Sequence, residues 1–403
     1  MKTLTLLDLV TRLVSFNTIS KECVVSDDGT GYKLTLEYIA EFCEKNRFKI
    51  TSFGNGKKTN LVAVKGPSAK PILALSGHTD TVSYNPKSWK DNVFTVAKKG
   101  KRYQGLGITD MKLFLAMAML AASSIPDEDL SESLALYFTH TEELGCKGVK
   151  LLLSEKEFIP AKNIIVGEPT LLVPMRFQKG YMFFRINITR KSNKGCSHSS
   201  DPRDLVNVIT IALPQVIDGL EKFGLHLRKF KDVNYDPNYA TMNIGNIVMG
   251  ANAAKNIIPG EIKLECDIRF MHGQDSGTIF NLLESTIEQI ADNINRNRSE
   301  DKRINIQVEF NTSPTLPLET SKSCNLVEAA ETIFDRKAEG VSYSSEATIF
   351  SHRTGADTII LGPGSIRDAH QDFESIDENF LDPIHITHYV ELIRHFCCKG
   401  GKS

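Results

Sequence analysis

Between residues 70 and 170 three continuous apolar runs, PILALSGHTD, LALYFTHTEE and NIIVGEPT, are separated by the apolar stretch MKLFLAMAMLAASSI and by a short helix from Lys147. Runs without polar alternation predict strands buried on both faces. Helices between them predict βαβαβ order, hence a mixed, mostly parallel sheet covered by helices on both faces. In sheets of this kind ligands collect in the crevice beyond the carboxyl ends of the strands. Each run here gives way at that end to ionisable residues: His78 and Asp80, then Glu142 and Glu143, then Glu168. The shared placement says more than any one of these residues.

Beyond Pro174 the pattern changes to alternating strands, YMFFRINITR, ATMNIGNIVM and EIKLECDIRF, with helical stretches near 201–224 and 275–296. This predicts an α+β domain inserted into the first. The closing section returns to the earlier style with a helix at 324–336, the strand TIILGPG and a last helix from about Ile384. The expected division is therefore an α/β catalytic domain made of 1–174 and 294–403, and an insert of 175–293. Two domains is also what a chain of 403 residues suggests.

Charge narrows the partners. With 48 Lys and Arg against 49 Asp and Glu, the chain carries no basic footprint for nucleic acid and no polybasic patch for a membrane. Leu4, Leu7, Val10 and Leu13, interrupted by Asp8 and Arg12, read as an amphipathic first helix rather than a signal segment. No run approaches the roughly eighteen apolar residues that span a bilayer. The expectation is a soluble cytoplasmic enzyme acting on small charged metabolites. Eight irregularly spaced cysteines predict no disulfide framework, and the adjacent pair Cys397 and Cys398 lacks zinc-site spacing.

His78 and Asp80, two apart in extended chain, project to one side, where the carboxylate can accept the ring N–H of a metal-bound imidazole. A solvated His-Asp pair is the alternative. Asp110 precedes an apolar helix, where it can cap the helix or bridge two cations. Glu142 and Glu143 repel one another and need a cation, a raised pKa or a solvated turn. Adjacent residues point differently, so one can bind metal while the other serves as general base. Glu168, and His370 in the Gly-rich loop after TIILGPGS, are each ordinary loop residues taken alone. Together the histidines and carboxylates make a mixed N/O set suited to two Zn²⁺, with Co²⁺ or Mn²⁺ as substitutes.

Seven segments in order, SGHTDTV, YQGLGITDMK, THTEELGCKG, VGEPT, GCSHSSDP, NIIPGE followed by DIR, and GPGSIRDAHQ, resemble the M20 family of metallopeptidases and deacylases along essentially the whole chain. The resemblance implies a ferredoxin-like insert that acts as lid and dimerisation element, and a homodimer. It implies that His78 and Glu168 hold one zinc, Glu143 and His370 the other, and that Asp110 bridges them. Asp80 would orient His78. Glu142 would take a proton from the attacking water and deliver it to the leaving amine, without an acyl-enzyme. His198 would stabilise the tetrahedral oxyanion, often across to the other subunit, and Asn256 and Arg269 would contact the oxyanion or the substrate carboxylate. The segments KGY, GCSHSSDPRDLVNVI, TMNIGNI, SEA and LGPGSIRDAHQ are most similar to the branch that deacetylates N2-acetyl-L-ornithine to ornithine and acetate in arginine biosynthesis. Succinyl-diaminopimelate desuccinylase and a broader N-acyl-amino-acid deacylase or dipeptidase are alternatives within the family, and a non-catalytic metabolite-binding relative is one outside catalysis. Three departures stand out: Lys112-Leu113 replaces lysine-glycine after the metal aspartate, Cys196 stands two residues before His198 where small residues are more familiar, and NAAKNIIPGE has the general family form in place of the asparagine-proline-asparagine-arginine form of that branch.

Overall fold

The computed structural model describes residues 4–20, 30–55, 58–89, 91–190, 197–198, 207–249, 254–310 and 313–400. Contacts divide the chain into one unit of residues 1–176, 320–339 and 345–403, and another of 177–319 with 340–344. The expected end of the insert at 293 is too early. It would cut the helix Ser276–Asn295 and detach the strand Ile304–Phe310, which pairs along its length with Gly180–Arg190. That strand follows the charged stretch RNRSEDKR and alternates buried with exposed residues, so no continuous apolar run marks it.

In the first unit the sheet runs, in spatial order, Lys49–Asn55, Lys58–Lys65, Ser133–Thr139, Pro71–His78, Asn163–Val166 and Asp357–Ile360. The first two pairings are antiparallel and the next three parallel. Register sets His78 beside Thr139, Ser76 beside Val166, and Val166 beside Ile360. The four parallel strands therefore run out towards one edge, two of them ending at the level of His78 and two at the level of Ser76, and the loops carrying the ionisable residues leave from that edge. Ser133–Thr139 and Asn163–Val166 are buried throughout.

Helix Leu113–Ser123 is apolar on all sides, as a helix enclosed by neighbours must be, and packs against helices Leu6–Val14 and Pro383–Cys397. Helix Leu6–Val14 opens with a capping box: the Asp8 N–H donates to Thr5 Oγ1 at 3.1 Å, and the Thr5 N–H to Asp8 Oδ2 at 3.0 Å. Its buried face is Leu6, Leu9, Val10, Leu13 and Val14. Sheet and helix close tightly where the site begins, because a Cβ on Gly167 would lie 2.0 Å from the Phe114 ring. A side chain there would push Glu168 out of place.

The second unit holds an antiparallel sheet ordered Thr241–Met249, Glu261–Phe270, Gly180–Arg190 and Ile304–Phe310. Alternate residues of Glu261–Phe270 are buried, and helices Leu213–Leu227 and Ser276–Asn295 contribute Val216, Leu220, Leu283 and Ile287 to the core they share with the sheet. Among the described residues no helix is long and apolar enough to cross a membrane.

Candidate metal centre

His78 ends its strand and is buried. Its Nδ1 lies 2.9 Å from the Asp80 carbonyl oxygen and 3.6 Å from Asp80 Oδ1. An N–H on Nδ1 donates to the main chain and leaves Nε2 facing Asp110 Oδ1 at 3.0 Å and Glu168 Oε1 at 3.8 Å. The ring is thus oriented chiefly by the carbonyl of Asp80 and not by its carboxylate. The carboxylate is turned to other donors: Ser20 Oγ at 2.5 Å and the N–H groups of Glu142 and Glu143 at 3.1 and 3.3 Å.

Asp110 sits in the turn Ile108–Lys112 with non-helical φ and ψ, and the apolar helix starts after it, with Lys112 at the N-cap. Capping does not explain its position. Its two oxygens face two imidazoles instead, Oδ1 at 3.0 Å from His78 Nε2 and Oδ2 at 3.1 Å from His370 Nε2. Glu143 Oε1 is 3.0 Å from that same His370 nitrogen. Donor atoms of His78, Asp110 and Glu168 lie within 4.8 Å of one another, and so do those of Asp110, Glu143 and His370. Asp110 belongs to both sets, as a carboxylate bridging two cations would. A further grouping of the same spread joins His78, Glu142 and Glu143.

The turn after Ser133–Thr139 is wound tightly, with Thr141 and Cys146 both at φ 55°. The Gly145 and Cys146 N–H groups donate to the Glu142 carbonyl at 2.9 and 2.8 Å, which brings Cys146 Sγ to 3.2 Å from Glu142 Oε1.

Burial dominates the electrostatics. It raises the Glu142 carboxyl to about 8, the charges of Glu143, Glu346 and Asp110 adding to it against the pull of His78. Burial likewise lifts Glu168 well above the carboxylate range and Glu143 above it. Asp110 moves the other way: burial alone would raise it, but hydrogen bonds from His370 and His78 hold it below that range. Hydrogen bonds to Asp110 and Glu143 lift His370 to about 11. Burial would lower His78, yet Asp110, Glu168 and Asp80 lift it well above its ordinary value. Carboxylates that draw protons onto both neighbouring imidazoles make a site of strong negative potential, which a pair of divalent cations neutralises. Imidazole with carboxylate is a donor set that Zn²⁺, Co²⁺ and Mn²⁺ accept.

Two buried acids beside this cluster carried no sequence signal. Glu374 accepts the N–H groups of Gly107, Thr109 and Asp110 at 2.7, 2.8 and 3.1 Å. Glu346 accepts from Thr139 Oγ1 at 2.8 Å, while its Oε1 has no partner among the described residues, and burial lifts its carboxyl to about 7. The segment SEA did belong to the resemblance, but neither periodicity nor spacing gave its glutamate a role.

The remaining candidates lie in the second unit. The strand Ser197–His198 pairs with Ile257–Ile258, and the register His198↔Ile257 sets the His198 backbone beside Asn256's neighbour. The rest of GCSHSSDP lies outside the described residues. Arg269 stands on another strand, its Nε 3.2 Å from Asp267 Oδ1 and its guanidinium 5.2 Å from the centre of the Tyr181 ring.

A family model described as Peptidase family M20/M25/M40 matches residues 74–395. An acetylornithine deacetylase of Edwardsiella ictaluri (strain 93-146) is 32% identical over 340 residues, covering 84% of each chain. One of Pectobacterium carotovorum subsp. carotovorum (strain PC1) is 33% identical over 345 residues, covering 85% of each. Among solved structures, a tripeptidase from Staphylococcus aureus is 18% identical with a TM-score of 0.72, over 96% of this chain and 97% of that one. A dinuclear metal binding peptidase of the M20 family from Bacillus subtilis is 14% identical with a TM-score of 0.65, over 97% and 98%. At these identities the structural likeness concerns the fold.

Proposed function

This chain belongs to peptidase family M20/M25/M40, and from that premise we propose that it is a two-cation amidohydrolase that removes the acetyl group from N2-acetyl-L-ornithine, yielding ornithine and acetate. The observation that carries the reading is the pair of donor sets sharing Asp110, with Glu142 beside them. Relatives named acetylornithine deacetylase at 32 and 33% identity support the choice of substrate.

On this reading His78 and Glu168 would hold one zinc and Glu143 and His370 the other, and Asp110 would serve both. When bound, the cations lower the pKa of a water and polarise the amide carbonyl. Glu142 takes the proton of the attacking water at Oε2, since Oε1 faces the Cys146 thiol, and passes it to the nitrogen of the leaving amine. Burial keeps Cys146 a thiol, raising it well above its ordinary value, so the chain offers no sulfur nucleophile at this position. Asp80 holds the Glu142 and Glu143 main chain in register with His78. The family resemblance would give His198 the developing oxyanion, and Asn256 and Arg269 the oxyanion or the substrate carboxylate. The enzyme acts in the cytoplasm, in arginine biosynthesis, as a homodimer paired through the insert. The edge strand Thr241–Met249, exposing Ile247, Val248 and Met249, supports that assembly.

The test is amine release from N2-acetyl-L-ornithine, N-succinyl-diaminopimelate, N-acetylmethionine and simple dipeptides with Zn²⁺ or Co²⁺. The proposal expects kcat/KM for acetylornithine to exceed the others by at least about tenfold. A different winner keeps the chemistry and replaces the substrate. Sedimentation of the purified chain at micromolar concentration reads the assembly, and a monomer there removes the dimer.

A further inference from the structure

Two loops far apart in sequence meet at the metal centre: the turn carrying Asp110, and the loop carrying His370. One buried carboxylate joins them. Glu374, 2% exposed, takes the Gly107 N–H on Oε2 and the Thr109 and Asp110 N–H groups on Oε1, at 2.7, 2.8 and 3.1 Å. A turn that aims several main-chain N–H groups at one point is an anion-binding concavity, and here the anion is a side chain of the same protein. The turn requires glycine at its start, because Gly107 is left-handed at φ 75° and a Cβ on it would come within 2.3 Å of Thr81 Cγ2.

The junction continues on both sides of Glu374. Its own carbonyl accepts the Gly105 N–H at 3.2 Å, Thr109 Oγ1 donates to the Ser375 carbonyl at 3.0 Å, and Ser375 pairs with Gln104. Arg102 ties the other end, 2.7 Å from Asp368 and 2.8 Å from the Ser375 carbonyl. His370 lies between those two anchors, in the left-handed region at φ 57°. Asp110 Oδ2 and His370 Nε2, 3.1 Å apart, thus owe their separation to a clamp whose central member is Glu374.

A carboxylate here stands beside Asp110, Glu143 and Glu168, and burial lifts it to about 7, so its charged form, which holds the three N–H groups most strongly, is favoured when cations are present. We propose that Glu374 is a positioning residue for the cation pair, fixing Asp110 against His370 and thereby setting the affinity of the site for its metals. The inference rests on reading the cluster as a two-cation site.

The experiment is calorimetric titration of Zn²⁺ into the full-length, chelator-stripped protein, wild type against Glu374→Gln. The substitution keeps the volume but removes the charge and turns an N–H₂ towards N–H donors. Zinc affinity is expected to fall by about 10- to 100-fold. Glu331→Gln is the control: Glu331 also accepts a main-chain N–H, from Ala338 at 2.8 Å, and its loss leaves zinc affinity unchanged. Wild-type zinc affinity in Glu374→Gln, even with a lowered melting temperature of the stripped protein, overturns the inference, since a merely structural anchor behaves that way. Absence of zinc binding to the wild type overturns the two-cation reading itself. If Glu374→Gln fails to fold by circular dichroism, Glu374→Asp, which keeps the charge and shortens the reach, carries the same expectation and the same refutation.

Discussion

The strand Ser133–Thr139 of the first unit is buried at all its residues, whereas Glu261–Phe270 of the second alternates buried with half-exposed ones along its whole length. A strand covered on both faces can offer chemistry only at its ends, because polar side chains along it would have to be buried and paired. Its carboxyl end opens directly into Glu142 and Glu143, and the three strands parallel to it in the sheet do the same with His78, Glu168 and, further along its loop, His370. A strand with one open face presents side chains all along it, and Arg269 is one of them, held by Asp267 and lying over Tyr181. The first sheet concentrates ionisable groups at one edge; the second spreads them.

That contrast is tested most severely at Asp110. Asp110→Ala removes a donor common to two groupings, so amidase activity is expected to drop to that of chelator-stripped protein and zinc content to fall with it. Arg269→Ala, on the open face, is expected to raise KM by about tenfold with zinc content unchanged. Parallel assays with metal analysis decide; equal losses in the two variants would dissolve the distinction between concentrated and distributed function.

Next in size is Glu142→Ala. A proton-transfer group contributes about 10² to 10⁴ in rate, so kcat is expected to fall by that much while zinc binds as in wild type. Loss of zinc in this variant would instead assign Glu142 to the metal, through its grouping with His78 and Glu143.

How far the site is legible in the sequence follows the same division. Strand ends buried on both faces announce themselves as apolar runs that stop, and His78, Glu142, Glu143 and Glu168 stand where the runs stop. His370 is less legible, since nine residues separate it from the end of its apolar strand, and taken alone it reads as an ordinary loop residue. Glu374 and Glu346 are not legible from spacing at all. Their partners are main-chain N–H groups and a threonine hydroxyl more than 200 positions away, which no local pattern encodes. The strand Ile304–Phe310 is missed for a related reason: half-exposed and polar, it becomes a strand only by pairing with Gly180–Arg190.

The two sheets also differ in how they tolerate truncation. Leu136, fully enclosed, is expected to cost about 2–5 kcal/mol when replaced by alanine, by lost burial and the cavity left behind. Val248, 43% exposed on the edge strand, is expected to stay within about 0.5 kcal/mol on the same change. Urea unfolding of both variants measures the difference. A large loss at Val248 would mean that its face is covered in solution, which would favour the proposed dimer.

The smallest effect concerns glutamates whose surroundings act in opposite directions. Burial lifts the Glu346 carboxyl from 4.5 to about 7, while the half-exposed Glu265 is lowered by its hydrogen bond from Arg185. A carboxyl raised in the folded state favours folding below its unfolded value and loses that contribution as pH climbs towards the folded one; a lowered carboxyl loses its contribution as pH falls. In metal-stripped protein the Glu346 contribution therefore fades between about pH 4.5 and 7. Glu346→Gln abolishes that dependence, so the variant is expected to gain on the order of 2 kcal/mol on wild type between pH 5 and pH 8. Glu265→Gln, screened by solvent, is expected to show little change across the same range and, if any, only at more acid pH. Urea midpoints for both variants at the two pH values provide the measurement. A pH-independent difference at Glu346 would mean that its carboxyl titrates alike folded and unfolded, and the charge density at the buried edge of the first sheet would then be lower than its geometry implies.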